Sequence, residues 1–423
     1  PAPTASVEPV NARLRCVVIG AGIVGSSCAW HLQRRGAQVS LIDSEMPGQS
    51  TSFGNAGCIS KTSVFPFSYP GIIRKLPGWL LDSEGPVRIR WSQLPRVAPW
   101  LYRFWRAGSR RRVAEIVAAQ MTLMEHVLDD FDEILAATGT GHLREARGLI
   151  LLYDNADDFS ADAWKYRERD RLGLGWRRLG LDELTALEPR VRLGHGVALF
   201  EPLWQHITDP GGLTAGIADA AVECGAHWIR DRVRSVFSNA SGVTVDTESG
   251  RSIEADRVIL ATGVWSNRLL APLGLRVPLM PKRGYHTMFA QPGIELNHPI
   301  MSASRHVLLT PMAGGLRVSG TAEFAALDAP PDYARARALV SSARHFLPDL
   351  DGAGVSEWMG QRPMMADSLP VLGPLPGREN VVCAFGHGHY GLTQGPGTGK
   401  LVARLVFGDD PGVDLAPFSI TRF

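Results

Sequence analysis

Residues 15–43, RCVVIGAGIVGSSCAWHLQRRGAQVSLID, decide how this chain folds. Residues 16–19 form a short apolar run, as in a strand buried within a parallel sheet. Gly20, Gly22 and Gly25 follow in G-x-G-x-x-G spacing. A helical pattern through Cys28, Ala29 and Leu32 then runs to a stop at Gly36. Residues 39–42 read as a second strand that ends at Asp43. The first glycine permits a tight turn, the second lets backbone approach a pyrophosphate, and the third allows close packing of helix on strand. An acid at the end of the second strand can accept hydrogen bonds from an adenosine ribose. Both strands, the helix and the acid are in place, so the unit predicts a bound dinucleotide.

Two later segments choose between dinucleotides. PGQSTSFGNAGCIS, residues 47–60, places Ser50, Thr51, Ser52 and Asn55 just beyond the ribose-binding strand, where they can hydrogen-bond a pyrophosphate. Gly54 and Gly57 let backbone come close in the same segment. Residues 258–260 form an apolar strand followed by Ala261, Thr262 and Gly263, a tight turn that returns the chain beside that pyrophosphate. A nicotinamide dehydrogenase has no need of the first segment. Together they favour FAD.

Composition narrows the remaining classes. A chain of 423 residues, 45% hydrophobic and 20% charged, is long enough for about two domains with ordinary globular cores. Its net charge of +2 argues against a nucleic-acid partner. Five scattered cysteines (Cys16, Cys28, Cys58, Cys224 and Cys383), with no C-x-x-C, read as reduced thiols of a cytoplasmic protein without a metal site. No stretch approaches the roughly 18 apolar residues of a membrane span, and no signal peptide is visible. Residues 1–12 read as a flexible tail, and the first residue, Pro1, suggests processing or trimming.

The sequence resembles the D-amino acid oxidase/dehydrogenase superfamily of flavoproteins, and within it the D-amino acid dehydrogenase-like branch. VVIGAGIVG, STSFGNAGCIS, ATG, KRGYH, LRVSGTAEF, WMGQRPMMADSLPVLG and GHGHYGLTQGPGTG carry the resemblance, in family order across nearly the whole chain. SFGNAGC, RGYH, GHGHYG and the ending PFSITRF are also similar to glyphosate/iminodiacetate oxidoreductases and D-hydroxyproline dehydrogenases. The resemblance implies an α/β, D-amino acid oxidase-like fold. In it a Rossmann-like FAD-binding domain (13–60, 209–275 and 356–423) accompanies a mixed, mainly antiparallel-sheet substrate domain (61–208 and 276–355). It adds Ile23, Val24, Ser44, Ala56 and Val233 to the cofactor contacts. FAD is expected to be non-covalent, because Trp358-Met359-Gly360 occupies the family's covalent-flavin stretch.

The implied reaction oxidises a carbon–nitrogen bond, with hydride passing to flavin N5. Small D-amino acids, or cyclic imino acids such as D-proline and hydroxy-D-proline, are the expected substrates. N-substituted glycines (sarcosine, iminodiacetate or glyphosate) are the alternative, and a non-catalytic flavin-binding subunit is a third reading. The expected electron acceptor is a quinone or oxygen. Arg362, between apolar residues and before a proline, is the candidate for the substrate carboxylate, since a guanidinium fork matches a carboxylate in two hydrogen bonds. A structural ion pair with Asp367 is its alternative. Tyr285 and Tyr390 are candidates to help hold the carboxylate, and His286 and His389 to accept an amine proton. His206 is a further candidate. D-amino acid dehydrogenases tend to have small residues where His389 stands, a departure of this chain from their pattern.

QGPGTGKL, residues 394–401, imitates a P-loop but fails it: Gln394 stands where the first glycine belongs, and Leu401 where a hydroxyl belongs. A helix starting in this glycine-rich stretch is expected to offer unpaired amides to the negative charge that grows on a reduced flavin. Gly388, Gly391, Leu392 and Thr393 are the expected main-chain contacts. Residues 72–112 mix tryptophans with arginines, as a helix lying on a membrane surface does. That would put the protein in the cytoplasm, peripheral to the inner face of the membrane. The other reading is a lid packed on the substrate domain, with Pro86, Pro95 and Pro99 breaking any long helix.

Overall fold

The computed structural model describes residues 13–72, 87–89 and 93–423. β1 (Arg15–Ile19) lies inside a six-stranded sheet, between β2 (Gln38–Asp43) and Arg257–Leu260, both parallel to it. His227–Arg230 extends the sheet beyond β2, while Arg378–Phe385 and the antiparallel Val371–Leu375 extend the other side. Cys16 through Ile19 are buried, as a strand covered on both faces must be. α1 (Ile23–Arg34) is buried from Ile23 to Leu32, because it packs against both Pro210–Glu223 and Gly391–Val406. Asp209 caps Pro210–Glu223 as its sequence suggests: the carboxylate accepts the Gly212 N–H at 2.9 Å, with Pro210 in the first turn.

A second, nine-stranded sheet is mixed and mainly antiparallel. Ala353–Met365, Leu279–Gln291, Gly315–Phe324 and Val307–Met312 lie side by side, and Leu149–Tyr153 joins them through Ile300–Ser302. The alternating runs 278–289 and 306–321 predict antiparallel strands from sequence. Their long-range pairing is not legible there.

The helical spacing of Ile116, Leu123, Val127, Phe131 and Ile134 predicts a helical stretch over 99–137, and the structure has three helices there: Leu94–Ala107, Arg110–Met124 and Val127–Thr138. The last is closed by Gly139 in the left-handed region, at φ 67°. Ile116, Phe131 and Ile134 share a core with Cys28 of α1 and Leu401, on the six-stranded sheet, although their segment was grouped with the substrate domain. Residues 356–365, grouped with the FAD domain, instead run within the nine-stranded sheet. Apolar periodicity tells which face of an element is covered, not by what.

The prolines do not break the tryptophan-rich segment where expected. Pro95 sits in the first turn of Leu94–Ala107, where a missing N–H costs nothing, and Pro99 is accommodated within the helix. Trp100 is buried, stacks on Phe104 and donates from its indole to the Pro278 carbonyl at 3.0 Å. Tyr102 and Trp105 remain exposed. Trp79, Pro86 and Trp91 lie outside the described residues. No helix among the described residues is long and apolar enough to cross a membrane.

The glycine-rich run also departs from expectation. Its helix, Gly391–Val406, starts four residues before Gly395, so Gly395, Gly397 and Gly399 are interior. A Cβ at Gly399 would lie 2.5 Å from the Ser27 carbonyl carbon, and one at Gly395 would lie 2.8 Å from Ile23 Cγ1. One at Gly397 would meet Asp130 Oδ2 at 2.6 Å. These glycines allow close approach of neighbouring helices; they do not bind an anion. Gly399→Ala is therefore expected to cost about 1–3 kcal/mol by overpacking. Gly175→Ala, with nothing within 4 Å, is the control. Urea unfolding of the two variants tests this, and equal stabilities would refute the packing role.

Candidate active site

A cavity of about 1440 Å³ is lined by residues of both large sheets. Gly20 enters it at φ 105°, and a Cβ there would lie 2.5 Å from the Ala261 carbonyl oxygen. A Cβ at Gly25 would sit 1.7 Å from the Gly20 carbonyl oxygen, so this third glycine is a packing requirement and does not line the cavity. Gly22 is the N-cap of α1, whose first turn carries no acid, leaving the positive end of its dipole unopposed. Asp43 Oδ2 accepts the Ala21 N–H at 2.7 Å and holds the turn against β2. Burial raises the Asp43 pKa above its ordinary value, while backbone hydrogen bonds from Ala21, Glu45 and Ser44 oppose the rise.

The small-residue segment behaves as its composition suggests. Ser44, Ser50, Thr51, Ser52, Asn55 and Ala56 line the cavity, as do Ile23 and Val24. Ser52 Oγ accepts the Ile23 N–H at 3.0 Å, and Thr51 Oγ1 donates to the Gln361 carbonyl at 3.1 Å. Val233, Ala261, Thr262 and Gly263 complete this part of the wall. Gly57 does not line it. Its φ is 79°, and a Cβ would lie 2.2 Å from the Ile207 carbonyl oxygen, so it is needed for a backbone crossing.

Gly388, Gly391, Leu392 and Thr393 also face the cavity. Gly388 N–H is committed to the Pro363 carbonyl at 3.1 Å, which removes it as a donor. The first helical bond runs from Gln394 N–H to the Tyr390 carbonyl at 2.8 Å, leaving the amides of Gly391, Leu392 and Thr393 as the free donors. This first turn has no acid either. The anion-stabilising start therefore exists, but at Gly391 and not in the glycine run. Two open helix starts and a glycine cradle that any Cβ would fill fit a flavin dinucleotide: α1 for its phosphates, Gly391–Val406 for its pyrimidine edge.

Arg362 lines the same cavity. Its guanidinium lies over Gly284, where a Cβ would approach it to 2.1 Å. One donor, Nη1, reaches the Thr321 carbonyl at 3.2 Å. Thr321 has φ 57°, a strained value for a β-branched residue, and that turn aims its carbonyl at Arg362. Burial pushes the Arg362 pKa down to about 10. The alternative partner, Asp367, is taken by Arg422 of the C-terminal PFSITRF at 2.8 Å. Arg362 thus has no carboxylate partner among the described residues.

The other candidates separate. His389 lines the cavity, its ring centroid 4.1 Å from that of Phe67, and its Nδ1 has no hydrogen-bond partner. Burial, then Lys282 and Arg362, hold its pKa well below the ordinary value, so the ring is neutral. Tyr285 hydroxyl donates to Glu323 Oε2 at 2.5 Å and accepts the Asp332 N–H at 3.0 Å. Tyr390 hydroxyl donates to the Phe65 carbonyl at 2.9 Å. Both tyrosines line the cavity, with each hydroxyl proton given to an acceptor of the fold. His286 does not line the cavity; it stacks on Trp358 at 5.2 Å, and burial pushes its pKa down to about 3. His206, fully buried 3.3 Å from Glu145, is not at the cavity either. Consecutive residues of a strand point to opposite faces, so Tyr285 reaches the cavity wall and His286 does not.

Sequence reasoning left Lys282 unplaced; it lines the cavity, with Nζ 4.4 Å from the Phe67 ring centroid. Its neighbour Arg283 is instead fully buried and donates to the carbonyls of Pro330, Ala326 and Ala329. The missed signal for the Arg362 seat was Gly284, a glycine inside a strand, which marks a close approach.

The family described as FAD dependent oxidoreductase (DAO) matches residues 15–405. The chain belongs to this family. A D-amino-acid oxidase of Bradyrhizobium diazoefficiens is 36% identical to this FAD-dependent oxidoreductase, covering 96% of this chain and 98% of the relative. A D-amino acid dehydrogenase of Paramagnetospirillum magneticum is 31% identical, covering 97% and 99%. The solved glycine oxidase of Geobacillus kaustophilus superposes with a TM-score of 0.77 at 24% identity, over 97% of this chain and 99% of the other, and so shares the fold. The oxidoreductase uses FAD and acts on carbon–nitrogen bonds of amino-acid-like substrates.

Proposed function

We propose that the substrate is a small D-amino acid, or a cyclic imino acid such as D-proline or hydroxy-D-proline, bound by its carboxylate to Arg362. The observation that carries this reading is a half-buried, cavity-facing guanidinium with one backbone acceptor and no acid beside it. FAD supplies the hydride acceptor. The chain supplies the fork that fixes the carboxylate, apolar walls that exclude water, and neutral His389 as an acceptor for an amine N–H. A neutral ring suits that task, since a protonated one would repel a cationic amine and could not accept. Relatives named D-amino-acid oxidase and dehydrogenase support the D-configuration.

Product analysis tests the reading. Each D-amino acid consumed should yield one equivalent of its 2-oxo acid and of ammonia, whereas D-proline should yield a cyclic imine. Consumption of L-isomers alone would overturn the configuration. For the acceptor, a quinone or dye is proposed over oxygen, and the exposed Leu94–Ala107 helix is the surface proposed to meet a membrane from the cytoplasmic side. Hydrogen peroxide forming in air at the rate of substrate loss would overturn the acceptor. One observation favours a second reading, an N-substituted glycine bearing another acid: the position of Lys282.

A further inference from the structure

Lys282 and Arg362 are directly opposite each other on adjacent antiparallel strands, Leu279–Gln291 and Ala353–Met365. Both line the one cavity. Like charges facing each other across two strands destabilise a sheet, and here no acid relieves them. Among the described residues Lys282 has no hydrogen bond or ion pair, only the face of Phe67. The acids nearby in sequence are occupied elsewhere: Glu323 by Tyr285 and Arg283, Asp367 by Arg422. Two part-buried cations therefore sit side by side on the cavity wall, and Asp162 and Glu201, which line the same cavity, are already paired with Lys165 and Arg169.

We infer that the site selects amino acids with a second acidic group, Arg362 holding the carboxylate next to the reacting carbon and Lys282 the other acid. This rests on the amino-acid reading above and narrows it. The charge count carries the argument. With the reactive amine neutral and Lys282 protonated, a monocarboxylate leaves the two cations at +1, whereas a dianion brings them to zero. Burying an uncompensated charge is costly, so the balanced complex is the stable one. The two cations are also unlike in shape: the fork suits one planar carboxylate, the ammonium a point contact with any acidic oxygen. Burial and the neighbouring Arg362 push the Lys282 pKa down to about 7, so the ammonium is held only weakly by the protein alone and an acidic group bound beside it would favour the charged form. D-aspartate, D-glutamate and iminodiacetate share the required chemistry.

The test uses the FAD-loaded full chain, with kcat/KM measured for those three compounds and for D-alanine and D-proline. Wild type should prefer a dianion by tenfold or more. Lys282→Met should lower the dianion-to-monoanion preference by about 30-fold or more, mostly through KM, and Lys282→Arg should keep most of it. A wild type that prefers monocarboxylates overturns the inference and leaves the amino-acid reading standing. So does a Lys282→Met loss shared equally by both classes. If Lys282→Met fails to hold flavin, the wild-type preference and the arginine variant still decide. Failure of every amino acid would remove both readings.

Discussion

Replacing Arg362 by alanine is expected to lower kcat/KM toward amino acids by on the order of 30- to several-thousand-fold. The variant leaves a substrate carboxylate buried without its partner, at a cost of about 2–5 kcal/mol, and each 1.4 kcal/mol is about tenfold. Flavin content should change little, because the dinucleotide cradle (Gly20, Gly22, Asp43 and the segment through Ala56) is built on other elements. Lysine should restore only part of the activity, since a point charge cannot reproduce the fork that Gly284 and the Thr321 carbonyl orient. Steady-state kinetics beside a flavin-to-protein ratio separates the outcomes. A variant that loses flavin or unfolds would make Arg362 structural, and one that keeps wild-type kcat/KM would remove it from the substrate site.

Gly25→Ala should act on the other half of the site. Its methyl would fall 1.7 Å from the Gly20 carbonyl oxygen, a backbone atom fixed by the turn and not a side chain that can swing away. The helix must withdraw from β1, at a cost of about 3 kcal/mol or more. That shifts the amides of α1 away from the pyrophosphate position, so FAD affinity should fall by more than about 100-fold. Flavin retained after gel filtration, with the thermal midpoint, reads both effects. An alanine variant that retains FAD and wild-type stability would contradict the close packing of α1 on β1.

How far the sequence reaches follows from the range of each interaction. The dinucleotide unit was legible because its chemistry is local: the turn, the helix start and Asp43 lie within 15–43. Arg362 was legible from its apolar setting, but its seat was not, since Gly284 and Thr321 reach it only through strand pairing. The same pairing brought Lys282 opposite Arg362. His286 lies away from the cavity because a polar strand residue looks the same in sequence whether it meets Trp358 or a substrate, whereas Tyr285 on the other face reaches the cavity wall. GPGTG misled because glycine signals both a helix start and a helix–helix contact. Only the position of Ser27, far away in sequence, distinguishes them.

The central claim is that an amino acid, anchored on Arg362, delivers hydride to a flavin held by the two open helix starts. Anaerobic mixing of the FAD-loaded protein with a panel of D-amino acids, imino acids and dicarboxylic amines tests it most directly. The long-wavelength flavin absorbance should be lost with at least one of them, and at least about 30-fold more slowly in Arg362→Ala at the same concentration. A flavin that stays oxidised with every amino acid, or one reduced equally well without Arg362, would contradict it.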